Sequence, residues 1–362
     1  MKLGVYIHVP YCRTRCPYCD FVSEAVSGAV PELFVEALCT EIKGFDGHPE
    51  AGSVFFGGGT PSLMTLDGLA RVFEALRSRF VIDSESEITL EANPDDVSRE
   101  LVQGWRILGV NRLSLGVQSF DDPALRYLGR RHDAEGARRA CRIVAELMPR
   151  WSMDLIYGAR PAEVWPETLR EALCFEPGHI SVYGLTYEEG TPFDARRGEA
   201  LEDDDALAYY QAAEHALSGY DHYEISNYAK PGQECRHNLV YWHNETYAGF
   251  GTGAYSYING VRSRNLSGTH KYLAAPGAKE ESIVLSPREI RLETVIQHLR
   301  LRWGLRRDYY ERRFGRGVYA DFGNALRDLE ARGLIGVSKD GIYPTAQGFY
   351  LNNEIGLALV DP

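Results

Sequence analysis

In the first 220 residues, short apolar runs alternate with longer segments in which apolar residues recur at helical spacing. Such alternation is typical of βα units arranged around a parallel sheet. The apolar runs predict six strands, over Gly4–Val9, Ser53–Phe56, Glu87–Glu91, Arg112–Val117, Ser152–Ile156 and Ile180–Leu185. The helical segments predict six helices, over Leu33–Lys43, Leu66–Arg79, Ser98–Leu108, Ala134–Leu147, Trp165–Cys174 and Asp203–Ser218. We therefore expect a partial (βα)6 barrel, an open version of the eight-unit barrel.

The chain beyond the sixth unit divides into two further regions. Residues 221–275 are rich in aromatic residues, His, Asn and Gly, and we expect an irregular extension packed on the open side of a barrel formed by residues 1–220. Residues 286–362 begin with a helical segment and later show a hairpin pattern around Asp340-Gly341. That order resembles a small winged-helix-like α+β domain. Because its basic and acidic residues nearly balance, we expect a packing or partner-docking role for it and not DNA binding.

Composition is that of a soluble globular protein. The chain has 362 residues, of which 44% are hydrophobic and 25% are charged, which suits one large domain and a smaller one. The sequence has no apolar run long enough to span a membrane and no signal-peptide pattern. A net charge of −12 disfavours nucleic acid as a general partner. Seven cysteines, three of them closely spaced, favour the reducing cytoplasm over a disulfide framework.

Three cysteines directly after the first predicted strand carry the clearest chemical signal. Cys12, Cys16 and Cys19 follow the spacing C-x3-C-x2-C, with no fourth cysteine close by. Thiolates are good ligands for iron–sulfur clusters, and three of them would leave one iron of a 4Fe–4S cluster open to another ligand. Zinc is the alternative, but structural zinc prefers four ligands, and the next cysteine is Cys39. The spacing favours a cluster with one open iron over zinc or three unrelated thiols.

Polar residues collect where the other predicted strands end. A Gly-Gly-Gly-Thr-Pro run at residues 57–61 follows the second strand, Glu91 ends the third, Gln118 follows the fourth and Asp154 lies in the fifth. Functional groups of βα barrels gather at these strand ends, so we expect the polar residues to share one rim with the cysteines. Glycine lets a ligand approach the backbone, whose N–H groups can bind an anion. Glu91 can bind an ammonium or a hydroxyl group; an ion pair at the barrel mouth is the alternative.

The cysteine spacing resembles that of the radical S-adenosylmethionine (SAM) enzymes, in which the amine and carboxylate of SAM chelate the open iron. The resemblance implies a 4Fe–4S cluster, an electron donor for it, and cleavage of SAM to methionine and a 5′-deoxyadenosyl radical. The positions similar to SAM-contacting positions in that family are Tyr6, Tyr18, Gly58, Gly59, Thr60, Glu91, Gln118, Arg130 and Asp154. For Tyr6, packing in the core is the alternative.

Residues 6–10, 56–62, 115–120 and 153–158 resemble one group within that family. The group contains the oxygen-independent coproporphyrinogen III oxidases and the related heme chaperones of the HemW type. The oxidases carry a fourth cysteine two residues after the third, where this chain has Phe21. They also carry several dozen residues before the first strand, where we expect only a short lead into Tyr6. Both differences favour the chaperones.

A third feature is an H-N-x-x-Y-W run, which resembles an element associated with heme binding in HemW proteins. Its residues are His237, Asn238, Tyr241 and Trp242. Imidazole is a standard axial ligand of heme iron, and Tyr241 and Trp242 offer flat apolar surface to a porphyrin. A hydrogen-bonded core histidine is the alternative for His237, and Cys235 and His243 lie close enough in sequence to compete as ligands.

The resemblance therefore implies a cytoplasmic heme chaperone that binds a 4Fe–4S cluster, SAM and heme, and that delivers heme to recipient proteins. The competing interpretation is oxidative decarboxylation of coproporphyrinogen III to protoporphyrinogen IX. A metal or redox module without SAM is a third class, but it leaves the polar strand ends unexplained.

Overall fold

The computed structural model describes residues 2–360. Its N-terminal part alternates strands and helices as the sequence predicts. The strands are β1 (Leu3–Val9), β2 (Tyr11–Cys12), β3 (Glu24–Ala25), β4 (Ala51–Gly58), β5 (Glu87–Ala92), β6 (Arg112–Gln118), β7 (Trp151–Tyr157) and β8 (His179–Gly184). The helices are α1 (Glu32–Lys43), α2 (Leu66–Arg77), α3 (Arg99–Leu108), α4 (Asp122–Tyr127), α5 (Ala134–Leu147), α6 (Trp165–Cys174) and α7 (Asp203–Ala216). The partial barrel is confirmed; the short helix α4 was not predicted.

Local capping signals fix where several of these helices begin. Thr65, Ser98 and Asp133 each accept a hydrogen bond from a backbone N–H in the first turn of the helix that follows. Such caps satisfy backbone donors that have no partner within the helix. The loops between strands and helices are thereby held short and defined, which keeps the strand ends available for a site.

The two faces of the barrel sheet differ in polarity. Outward-facing side chains such as Val54, Leu90 and Leu115 pack with the surrounding helices in one apolar core. Barrel interiors of this type are ordinarily filled by branched apolar residues. Here the inward-facing side chains are mostly polar and surround an inner cavity of about 170 Å³. We call this interior the polar lumen; its strand residues are Tyr6, Phe55, Glu91, Arg112, Ser114, Asp154, His179, Ser181 and Tyr183.

The segment that follows the barrel is more regular than expected. It forms β9 (Asp221–Glu224), β10 (Asn227–Ala229), α8 (Arg236–Trp242), β11 (Tyr247–Gly251), β12 (Tyr255–Ile258), β13 (Val261–Asn265), α9 (Thr269–Ala274) and β14 (Lys279–Val284). The 12-stranded sheet has the order β14-β13-β12-β11-β1-β4-β5-β6-β7-β8-β10-β9. The prediction of an irregular extension is therefore wrong, because both edges of the barrel sheet, β1 and β8, need backbone partners and this segment supplies them.

The C-terminal region has its own apolar core. It comprises α10 (Pro287–His298), β15 (Leu305–Arg306), α11 (Arg307–Phe314), α12 (Val318–Ala331), β16 (Ile335–Val337), β17 (Gly341–Pro344), α13 (Ala346–Tyr350) and α14 (Asn352–Val360). A capping box between Ser286 and Glu289 starts α10. The predicted hairpin is confirmed, since β16 and β17 pair antiparallel. Helices around a three-stranded sheet agree with the winged-helix-like expectation.

Polar contacts join the C-terminal region to the barrel and its extension. The backbone N–H of Arg302 donates to the Tyr223 carbonyl at 3.0 Å. Arg262 and Glu293 form an ion pair at 2.7 Å. Within residues 2–360, we find no helix whose length and hydrophobicity would let it cross a membrane.

Candidate functional site

A cavity of about 450 Å³ opens at the C-terminal ends of the barrel strands. Its volume is in the range usual for small-molecule and cofactor sites. The predicted residues that line it are Cys12, Cys16, Cys19, Tyr18, Gly58, Gly59, Thr60, Glu91, Gln118, Arg130 and Asp154. The structure thus brings the cysteine loop together with every proposed SAM position except Tyr6. Tyr6 lines the smaller inner cavity of the polar lumen instead.

Backbone hydrogen bonds within residues 12–26 hold the cysteine loop in a defined conformation. Val26 N–H donates to the Cys12 carbonyl at 2.8 Å, and Cys19 N–H donates to the Cys16 carbonyl at 3.1 Å. Burial raises the pKa of Cys19 to about 11 and also raises that of Cys12. Thiolates at these positions therefore require positive charge nearby, which bound iron provides. Across residues 2–360, no three His, Cys, Asp or Glu side chains converge as a single-ion site would require.

Arg130 links the cysteine loop to the barrel. Its guanidinium donates to Cys16 Sγ at 3.4 Å and to the Gly116 carbonyl at 2.9 Å, and it also donates to Asn93. Its Nε is buried without a partner in the described part of the chain. A buried cation beside the cysteine loop attracts negative charge, so the donor set and its surroundings fit an anionic iron–sulfur cluster.

The glycine run at the end of β4 packs closely against the start of the cysteine loop. Gly58 has φ of 105°, and a Cβ there would lie 2.6 Å from the His8 ring. A Cβ on Gly59 would lie 2.7 Å from the Tyr11 carbonyl oxygen. The backbone of Thr60 donates to the same carbonyl at 2.7 Å. The glycines are therefore required by contacts within the chain, whereas the sequence suggested only that a ligand approaches them.

Two carboxyl groups face the cavity from β5 and β7. Desolvation raises the pKa of Glu91 to about 8, and the charge of Asp154 adds to this rise. Desolvation also raises the pKa of Asp154, whose two oxygens accept hydrogen bonds from Ser114 at 3.0 and 3.2 Å. A cationic ligand would lower both pKa values by its charge. SAM carries a permanent positive charge on its sulfonium group, so this pair fits it.

Gln118 occupies a strained position beside the cavity. Its φ is 68°, which is uncommon for a residue other than glycine, and the strand register shifts between Gly116 and Gln118. Its side-chain Oε1 is buried and has no hydrogen-bond partner among residues 2–360. An unpaired buried acceptor that lines the cavity fits a ligand with hydrogen-bond donors.

The proposed heme residues lie at the opposite end of the barrel from the cysteines. Helix α8 packs on the N-terminal ends of β1 and β4, where a Cβ on Gly4 would contact Val240 at 3.1 Å. His237 is 1% exposed, and its ring bonds to Ser53 Oγ at 2.8 Å and to Tyr241 Oη at 2.9 Å. Burial lowers its pKa to about 3. In this structure His237 is a hydrogen-bonded core residue with both ring nitrogens occupied.

The other residues of the run are also enclosed. Asn238 and Tyr241 line the inner cavity, whose volume of about 170 Å³ is small for a ligand of porphyrin size. Tyr241 packs edge-on against Tyr247, with ring centroids 4.7 Å apart. Arg300 covers Trp242, with its guanidinium carbon 4.4 Å from the ring centroid. The two aromatic faces expected for a porphyrin are therefore occupied by neighbouring side chains.

The sequence analysis missed the polar lumen. Arg112 and His179 line the inner cavity, and neither was considered as a site residue. The signal was present in β5, where Glu87, Thr89 and Glu91 alternate with Ile88 and Leu90. Alternation in a strand of a parallel sheet means that one face is polar, whereas such strands are usually apolar on both faces.

A partial βα barrel with a cysteine-lined cavity at its strand ends defines a radical SAM protein. Residues 6–170 match the family model of the Radical SAM superfamily, and residues 285–351 match that of the HemN C-terminal domain. The solved structure of coproporphyrinogen III oxidase HemN from Escherichia coli matches with a TM-score of 0.85 at 22% identity, covering 99% of this chain and 90% of that one. That likeness concerns the fold.

Sequence similarity identifies the family of radical SAM proteins to which this chain belongs. The chain is 40% identical to the heme chaperone HemW of Synechocystis sp. over 84% of this chain and 79% of that protein. It is 32% identical to the heme chaperone HemW of Lactococcus lactis over 97% of this chain and 96% of that protein. The chain therefore belongs to the HemW family, and the family resemblance inferred from the motifs is confirmed.

Proposed function

We propose that this protein is a heme chaperone that binds a 4Fe–4S cluster, SAM and heme, and that delivers heme to recipient proteins in the cytoplasm. The observation that carries the proposal is the similarity to HemW chaperones over nearly the whole chain. Phe21 lines the cavity at the position of the oxidases' fourth cysteine and is 60% exposed. This position therefore supplies no fourth thiolate.

In this proposal, Cys12, Cys16 and Cys19 hold three irons of the cluster, and Arg130 orients Cys16 and balances the negative charge. Glu91 and Asp154 balance the positive charge of the SAM sulfonium group, and Gln118 accepts a hydrogen bond from SAM. When bound, the cluster would supply one-electron reducing chemistry at the SAM site, with an external one-electron donor as its source of electrons.

The competing activity is the oxidative decarboxylation of coproporphyrinogen III. The decisive experiment incubates anaerobically reconstituted protein with heme and, separately, with coproporphyrinogen III, SAM and a reductant. We expect heme to bind, and we expect no protoporphyrinogen to form. Decarboxylation over many turnovers would overturn the chaperone assignment in favour of the oxidase.

A further inference from the structure

The loop that joins β8 to α7, residues 185–202, contacts both the cavity and the cysteine loop. We call this segment the β8–α7 loop. Leu185 and Thr186 at its start line the cavity of about 450 Å³. Further along, the backbone N–H of Phe193 donates to the Pro17 carbonyl at 3.0 Å. Phe193 is 2% exposed, so a buried ring as well as a hydrogen bond anchors the β8–α7 loop at this point.

The Pro17 carbonyl belongs to a tight turn between two of the proposed cluster ligands. Cys19 N–H donates to the Cys16 carbonyl at 3.1 Å, which closes a four-residue turn with proline at its second position. A Cβ on Gly129, just after α4, would lie 2.6 Å from the Pro17 ring. The turn is therefore held by close packing against Gly129 and by the hydrogen bond from Phe193.

Three aromatic rings surround the Phe193 ring. Tyr127 of α4 lies edge-on to it with ring centroids 5.3 Å apart, and Tyr187 of the β8–α7 loop stacks on it at 5.5 Å. Tyr18, the third residue of the turn, lies 6.2 Å away. Edge-on and stacked arrangements are favoured geometries of aromatic pairs. Phe193 thus links α4, the β8–α7 loop and the turn.

Arg196 fixes this arrangement from within the β8–α7 loop. Its guanidinium carbon lies 4.2 Å from the ring centroid of Tyr127 and 4.9 Å from that of Phe193. Two of its nitrogens donate to the Glu199 carboxylate at 2.7 and 2.8 Å, and Tyr127 Oη donates to the same carboxylate at 3.0 Å. Because a two-point ion pair defines the plane of the guanidinium, Arg196 covers both rings in one orientation.

We propose that Phe193 is a positioning residue for the cluster: it holds the turn that sets the relative placement of the Cys16 and Cys19 thiols, and Arg196 keeps it in place. This inference rests on the proposed 4Fe–4S cluster. Cys12 is held differently, by the pairing of β2 with β3, in which the β8–α7 loop takes no part. Phe193 therefore acts on two of the three ligands, and the third provides an internal reference.

The first test measures hydrogen exchange in the reduced, iron-free, full-length protein. Phe193→Ala should increase exchange of the Cys19 amide at least about tenfold, because the turn opens more often when its anchor is lost. The Val26 amide, which donates to the Cys12 carbonyl, should change by less than about twofold. Phe193→Leu keeps a large apolar side chain at the buried site, so it should restore most of the protection at Cys19.

The second test uses the reconstituted protein and reads the cluster directly. In Phe193→Ala, two of the three thiolates should hold the irons with less defined geometry. The EPR signal of the reduced cluster should therefore broaden, and iron should pass to a chelator at least about tenfold faster than in the wild type. Phe193→Leu should restore the wild-type line shape, which a loss of overall stability alone would not explain.

Matched substitutions elsewhere serve as controls. Phe349→Ala removes an equally buried ring from the C-terminal region, and Arg99→Ala removes an arginine that is likewise paired with a glutamate, Glu146. Both should keep the wild-type exchange at the turn. Arg196→Ala should shift exchange and line shape in the same direction as Phe193→Ala. The double variant should be no worse than Phe193→Ala, because Arg196 acts through Phe193.

Each outcome decides the inference. Unchanged exchange at Cys19 in Phe193→Ala overturns it, and so does an equal increase at Val26, which would indicate general loosening of the fold. Faster exchange with an unaltered EPR signal and unaltered iron loss also overturns it, because the turn would then move without affecting the cluster. A wild-type protein that assembles no cluster overturns the proposed cluster and this inference together, and its iron content distinguishes that result from the others.

Discussion

Glu91 carries a proton at neutral pH in the unliganded protein, because its pKa of about 8 lies above the pH. The cause is desolvation, reinforced by the charge of Asp154. Binding of a cation beside this group favours the carboxylate and expels the proton. The affinity for such a ligand therefore depends on pH, and it increases as the pH rises towards the pKa of the empty site.

We predict that SAM binding near pH 7 releases up to one proton and that SAM affinity rises between pH 6 and pH 8 before it levels off. Calorimetry in buffers of different ionisation enthalpy measures the release. Glu91→Gln should bind SAM without releasing a proton, since the amide cannot titrate. An affinity that is constant from pH 6 to pH 8 in the wild type would show that Glu91 does not respond to the ligand.

The cysteine triad gives a second prediction at the scale of single residues. Reconstituted protein should contain about four irons per chain, and its reduced EPR signal should change when SAM is added. Replacing Cys12, Cys16 or Cys19 by serine should abolish stable cluster assembly, because each thiolate would hold a separate iron. Cys174→Ser, at an exposed free cysteine, is the matched control. A Cys12→Ser protein with a full cluster would refute the ligand assignment.

Most of the residues that line the cavity could be predicted from sequence motifs, because parallel strands bring positions that are far apart in the sequence to the same rim of the barrel. Cys16 and Asp154, for example, line the same cavity. The state of His237 could not be deduced in this way. Whether its ring faces solvent or Ser53 depends on how α8 docks on the barrel, and the sequence of α8 alone does not encode the docking partner.

At the scale of elements, the glycine run and the cysteine loop act as one unit. The close approach of Gly59 to Tyr11 ties the end of β4 to the start of the loop. We predict that Gly59→Ala displaces the loop, because backbone atoms 2.7–2.8 Å from the new Cβ cannot yield as a flexible side chain can. Iron content and SAM affinity should both fall, while most of the helical circular dichroism remains.

Gly356→Ala is the control for that substitution. Gly356 lies in α14, and a Cβ there would meet nothing within 4 Å. We expect this variant to keep full iron content and to be slightly more stable, because alanine favours the helix by up to about 1 kcal/mol. Equal iron content in the two variants would show that the loop tolerates the added atom.

Elements with strong local signals were the ones that the sequence predicted. Helices such as α3 and α5 have capping residues and a clear apolar spacing. The strands of the extension were missed for a physical reason. β11 pairs with β1 across more than 200 residues of chain, so its stability comes from a distant edge and leaves little trace in its own short sequence.

At the scale of the whole molecule, the barrel and the C-terminal region share a junction that contains a buried charge. Glu224 is 1% exposed, and desolvation raises its pKa to about 6 although Arg300 opposes the rise. Asn227 also donates to this carboxylate. Arg300 thus interacts with two elements of the extension. Its guanidinium lies over the Trp242 ring of α8, and its charge stabilises the Glu224 carboxylate of β9.

We predict that Arg300→Ala lowers the free energy of unfolding by about 2 kcal/mol, because the buried Glu224 carboxylate loses the positive charge that offsets its desolvation. The loss should be larger at pH 8 than at pH 5. A raised pKa in the folded state means that stability falls as the pH rises through it, and the variant raises that pKa further. Urea unfolding at both pH values measures the effect. Arg302→Ala, which removes an exposed neighbour, is the control; equal losses would exclude a role for Glu224.

The polar lumen has a consequence for how this architecture can diversify. The apolar core that stabilises the barrel lies between the sheet and its helices, so the inward-facing side chains contribute little to the driving force for folding. Substitutions on the inner face can then alter which molecules the lumen accommodates with little loss of stability in the barrel. Two proteins can therefore keep the same framework and perform different tasks, and selection can act on the inside of the barrel almost independently of the outside.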